Sequence, residues 1–124
     1  MKNGLLRVLV VNANDPEVIA GNQVLPITLS VNGQLISGEL ISRTEFYALE
    51  QNAVLKHYVD LINEAQIKEK GALQETPMDE LQLLHLKNAA YWVNGAKIPS
   101  GVGTNIAINI DSVDAFNIGS LQIG

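Results

Sequence analysis

The sequence has no cysteine. Disulfide frameworks and thiolate metal sites are therefore excluded, and a reducing compartment fits the composition. Charge is also scarce. Charged residues make up 17 % of the chain, and the eight Lys and Arg are outnumbered by thirteen Asp and Glu, for a formal net charge of −5. Those few basic residues are scattered, which argues against sequence-independent binding of DNA or RNA, because that needs a basic face. No apolar run is long enough to span a bilayer. The N-terminal MKNGLLRVLVVNAND has a basic residue and some apolar ones, but Arg7 and Asn12 cut the run short of a signal peptide. A cytoplasmic protein is expected.

Apolar residues, in contrast, are plentiful. They make up 47 % of 124 residues, enough to bury the core of one domain spanning residues 1–124. Val and Leu dominate residues 5–11, which read as a first strand. Residues 12–22 are rich in turn formers. Residues 24–31 and 34–42 read as two strands joined by Asn32-Gly33, a pair that supplies the two positive φ angles of a type I′ hairpin turn. Gly38 in the middle of the return strand predicts a bulge or bend.

The period then changes. Ser42-x-x-Glu45 has the spacing of a capping box, with Thr44 a rival N-cap. Tyr47, Val54, Tyr58, Leu61, Ile62 and Ala65 recur at helical spacing up to Gly71, a natural helix terminator. One helix over about 45–70, with a break near Asn52, is expected, burying its apolar face on the sheet. Residues 81–90 and 105–110 read as further strands. In the latter, Ile106, Ile108 and Ile110 point inward. Asn94-Gly95 marks a turn or second hairpin, and a last strand follows residue 111. The fold class is α+β: a strongly curved antiparallel sheet, or a small Sm-like, partly closed barrel, of five or six strands with one long inserted helix.

No constellation of active-site character stands out. His57 and His85 share no ligand spacing, and a metal would need further ligands. Asp111 and Asp114 sit close together, where paired carboxylates can serve acid–base chemistry, but DSVD suits hydrogen bonding to nearby backbone better. No catalytic residue, cofactor site or metal site is assigned. Tyr91 and Trp92 are candidates for an interaction surface because aromatics anchor interfaces. Glu75, Asp79 and Glu80 are candidates because they lie in a polar loop.

Two resemblances bear on function. ITLSVNGQLISGELIS, residues 27–42, resembles the first signature of Sm-like proteins, which implies a small barrel. Their second signature, with a basic residue beside glycine, has no counterpart in NIAINIDSV. A binding module for nucleic acid or peptide is the alternative function on this likeness. The second likeness is broader. LPITLSVNGQLISGELISRTEFY, LHLKNAAYWVNGAKIP and VDAFNIGSL, in that order, resemble the gas-vesicle accessory protein family GvpU. The matching positions include Ile27, Thr28, Leu29, Gly33, Ser37, Gly38, Leu40, Ser42 and Tyr47. Later ones include His85, Leu86, Asn88, Ala89, Pro99, Val113, Asp114, Phe116, Gly119 and Leu121. Leu25-Pro26 and Ala115 stand where that pattern has Gly, and TNIAINI departs from it. The resemblance implies a non-enzymatic, self-associating accessory that modulates how gas vesicles assemble or cluster. Its expected partners are the vesicle shell, other gas-vesicle proteins and copies of itself. Because salt screens the self-repulsion of an acidic protein, such assembly should respond to ionic strength.

Overall fold

The computed structural model describes residues 2–21, 24–72 and 76–119. Six antiparallel strands form one sheet: β1 Leu25–Val31, β2 Gln34–Ile41, β3 Leu83–Val93, β4 Ala96–Ile98, β5 Thr104–Asn109 and β6 Val113–Ile118. Among the described residues four helices accompany them: α1 Gly4–Ala13, α2 Pro16–Ala20, α3 Arg43–Ala48 and α4 Ala53–Lys70. Three 3₁₀ turns lie at Glu50–Asn52, Met78–Glu80 and Ile110–Ser112. The strand order is β4-β3-β2-β1-β6, with β5 also pairing with β3. The long β3 is thus bordered on one side by β2 and on the other by β5 and β4 in succession.

The fold is α+β, but the sheet is open rather than a barrel. Closure would require β6 to pair with the opposite edge as well; among the described residues it pairs with β1 alone. The bend read at Gly38 is real but local. The β2–β3 register slips between Ser37 and Glu39, and a Cβ on Gly38 would lie 2.9 Å from the Ala89 Cβ. The missing side chain lets β3 approach; it does not curl the sheet. Gly103 has a similar task. A Cβ there would lie within 2.3 Å of the Asn88 carbonyl carbon. The two glycines therefore flank the irregular stretch of β3 around Asn88, which has φ 49°.

Both Asn-Gly hairpins are present. Asn32 and Gly33 have φ 51° and 84°, and Asn94 and Gly95 have 51° and 76°. The first Asn-Gly pair instead starts a helix, with Asn3 left-handed at the N-cap. Residues 5–11 are therefore not a strand. An uninterrupted apolar run satisfies helix and strand patterns alike, and here the helical one is realised. Leu6 and Val10 are buried on one side, with Leu9 and Ala13 packed beside them. Each buried Leu or Val side chain contributes about 1.5–3 kcal/mol to docking the helix. The inserted helix consequently follows the second strand, not the third.

The core lies between α1 and one face of the sheet. Leu6 and Val10 meet Ile27, Leu29, Ile36, Leu40, Leu84, Leu86, Ile108 and Ile110. Strand side chains alternate between faces, so His85, between Leu84 and Leu86, belongs to the other face. There it meets the rings of Phe46 and Tyr47 from α3, at centroid distances of 4.7 and 5.7 Å. The helices α1 and α3 thus cover opposite faces of the sheet.

Candidate interaction surface

Ser42 caps α3 as its spacing suggests, accepting a hydrogen bond from the Glu45 N–H at 2.9 Å. The expected helical break is also present. Leu49 is extended, the Glu50–Asn52 turn follows, and Asn52 is buried with its side-chain amide donating to the Phe46 carbonyl at 2.7 Å. These bonds aim α4 away from the sheet. Gly71, at φ 81°, ends it. No residue of α4 is fully buried. Val59 and Asn63 are half-buried and line a hollow shared with Arg43, Thr44 and Tyr47, so this is the side that α4 turns toward α3.

The apolar stripe of α4 is left in solvent, contrary to the expectation that it would be buried on the sheet. Val54 is 71 % exposed, Tyr58 60 % and Ile62 56 %, with Leu55 and Leu61 near one half. Helical periodicity places an apolar face on α4, but only the direction of the chain beyond the Asn52 break decides what covers it. A second, smaller stripe of Leu5, Val8 and Val11 lies exposed on the outer side of α1. The two stripes are carried by helices belonging to opposite faces of the sheet.

The residues singled out in the sequence are not brought together. Tyr91 and Trp92 lie near the end of β3, facing Ile36 and Leu35 across the sheet. Tyr91 is exposed and Trp92 half-buried, its indole nitrogen buried without a hydrogen-bond partner. Asp79 and Glu80 are exposed in the 3₁₀ turn that precedes β3. Eight residues separate Leu83 from Tyr91, a span of about 26 Å along a strand. Glu75 lies outside the described residues.

The acidic residues near the C-terminal strand hold the fold together. Asp111 accepts from Arg7 Nη2 at 2.6 Å, and Asp114 accepts from the Asn32 N–H at 2.9 Å. Arg7, which in the sequence only interrupts an apolar run, is buried. Its Nε donates to the Lys2 carbonyl at 2.7 Å, and its Nη1 donates to the carbonyls of Met78 and Leu81 at 3.2 and 2.5 Å. Asn3 adds bonds from its amide to the carbonyls of Ile110 and Val113 at 2.8 and 3.0 Å. The polar chemistry of α1 therefore staples it to two distant turns. Among the described residues no three His, Asp or Glu side chains cluster as metal ligands.

His57 is exposed and His85 buried. Burial, and then the positive charge of Arg43, lower the pKa of His85 from 6.5 to about 4. Its Nε2 is buried without a hydrogen-bond partner. The imidazole is thus held neutral as an aromatic packing element between Phe46 and Tyr47. Among the described residues no helix is long and apolar enough to cross a membrane.

The fold is an open α+β sheet with apolar helix faces left exposed on α1 and α4. Residues 4–121 match the family described as gas vesicle protein GvpU-like, and the chain belongs to that family. Comparison with curated proteins gives no match. Comparison with solved structures gives none either.

Proposed function

We propose that this protein is a non-enzymatic gas-vesicle accessory that associates with itself and so modulates how vesicles assemble or cluster in the cytoplasm. The observation that carries this reading is the unpartnered apolar stripe of α4 in a chain of the GvpU-like family. A protein that links particles needs at least two contact surfaces. The stripes of α4 and α1 supply two, on opposite sides of the sheet. The partner on the vesicle is the shell or another gas-vesicle protein. Nucleic acid does not suit a chain of net charge −5. The same charge makes association sensitive to ionic strength, since salt screens repulsion between copies.

Flotation tests the proposal. Purified protein is mixed with intact gas vesicles at low and at high salt, and the buoyant layer is assayed. The protein should rise with the vesicles, and more of it should do so at high salt. Protein left in the lower layer at both salts overturns the reading.

A further inference from the structure

We propose that the apolar stripe of α4 is covered by α4 of a second copy, the two helices running antiparallel about a two-fold axis that crosses the stripe midway between Tyr58 and Leu61. The inference rests on the reading that the protein associates with itself, and it names the surface and the geometry.

The argument begins with spacing. Within α4, Val54, Leu61 and Lys68 recur every seven residues, and Tyr58 and Ala65 lie between them with the same repeat. Leu55 and Ile62 run beside them. This is the seam of a two-helix contact, in which positions repeating by seven meet their counterparts on a facing helix. The seam points away from Val59 and Asn63, on the side turned toward α3, so two copies can meet along it with their sheets on opposite sides. At 1.5 Å per residue, the 18 residues of α4 give a contact about 27 Å long.

Charge then selects both occupant and direction. His57 and Glu64 lie along one flank of the stripe, and Leu55, Ile62 and Glu69 along the other. With two copies antiparallel, Tyr58 of each meets Leu61 of the other, and Val54 meets Ala65. His57 falls beside Glu64 of the second copy, and Leu55 beside its Ile62. Two-fold symmetry makes each of these pairs twice, as an isologous contact requires. A parallel alignment in register would set Lys68 against Lys68 in the seam and Glu64 beside Glu69 across the flank, placing like charges together and aligning the helix dipoles. The helix is therefore complementary to its own reverse. Tyr58 and Leu61 sit at the centre of the seam, where anchoring side chains concentrate.

The test uses the full chain in sedimentation over a concentration series. Wild type should associate. Leu61→Glu should weaken association about a hundredfold, since two buried leucines are lost per pair, with a thermal midpoint equal to that of wild type at concentrations too low for association, because Leu61 is exposed in the single copy. His57→Glu should weaken association, and the double variant His57→Glu/Glu64→Lys should restore it. The chain has no cysteine, so crosslinks report only introduced pairs. A mixture of Val54→Cys and Ala65→Cys chains should oxidise to a covalent dimer of the two, whereas Val54→Cys alone should not. If Leu61→Glu associates like wild type, α4 is not the seam, while association itself and the accessory reading stand. Crosslinking of Val54→Cys alone in preference to the mixture overturns the antiparallel arrangement. A wild type that stays monomeric at every concentration overturns this inference and the self-association reading together, with flotation left as the test of vesicle binding.

Discussion

Replacing His85 by Phe isolates a single protonation and should change how stability depends on pH. The ring of His85 is 4 % exposed and lies against Phe46 and Tyr47. Burial, followed by the charge of Arg43, takes its pKa from 6.5 to about 4. The unfolded chain takes up this proton near pH 6.5 and the folded chain only near pH 4. Between those values the unfolded state binds more protons, so stability rises with pH. The contribution of a neutral His85 is therefore complete above about pH 6.5 and is lost progressively as pH falls toward 4. At about 1.36 kcal/mol for each tenfold change in proton affinity, the loss amounts to about 3 kcal/mol. Phe keeps the apolar ring and removes both the titration and the unpartnered Nε2. Urea unfolding of wild type and His85→Phe between about pH 7.5 and 4 measures the effect, and the exposed carboxylates common to both chains cancel in the difference. The stability of wild type relative to the variant should fall by about 3 kcal/mol across this range. A difference that stays flat to within about 0.5 kcal/mol would refute the reasoning.

Other substitutions check the framework. Arg7→Met strands the carbonyls of Lys2, Met78 and Leu81 and should cost about 2–4 kcal/mol in chemical denaturation. Asp111→Asn, at a side chain 62 % exposed, should cost less than about 1.5 kcal/mol; equal losses would mean that the ion pair, not the carbonyl cradle, fixes α1. Gly103→Ala would set a Cβ 2.3 Å from backbone, while Gly101→Ala meets nothing within 4 Å. The thermal midpoint should drop several degrees for the first and stay put for the second, and matched midpoints would contradict the close packing of Gly103 against Asn88. Ser42→Ala removes the cap of α3 and should cost about 1 kcal/mol in the same unfolding assay.

What was legible in the sequence is what local chemistry decides. Asn32-Gly33 and Asn94-Gly95 demand positive φ and produce hairpins. Ser42 caps a helix, Gly71 ends one, and the break near Asn52 falls where it was read. The apolar alternation of Ile106, Ile108 and Ile110 also holds, with Ile108 and Ile110 buried and Ile106 half-buried. What stayed hidden depends on distant partners. Residues 5–11 carry both periods, and the helix wins because Leu6 and Val10 pack on the sheet while Arg7 reaches carbonyls more than seventy residues away. Whether a sheet closes depends on which strand β6 joins, which no hairpin signal encodes. The stripe on α4 was visible as a pattern, but its exposure follows from the turn before it. Tyr91, Trp92, Asp79 and Glu80 were chosen by residue type, and the fold sets the acidic pair in the turn before β3 and the aromatic pair near its far end, whereas the apolar stripe lies on α4.

The central claim is that α4 joins copies of the protein and thereby links vesicles. The most direct measurement is vesicle clustering itself, followed by light scattering and microscopy after wild type or Leu61→Glu is added to dispersed gas vesicles. Wild type should gather the vesicles into clusters, while Leu61→Glu should float with them and leave them dispersed. Clustering of equal extent by both proteins, or by neither, would contradict the account.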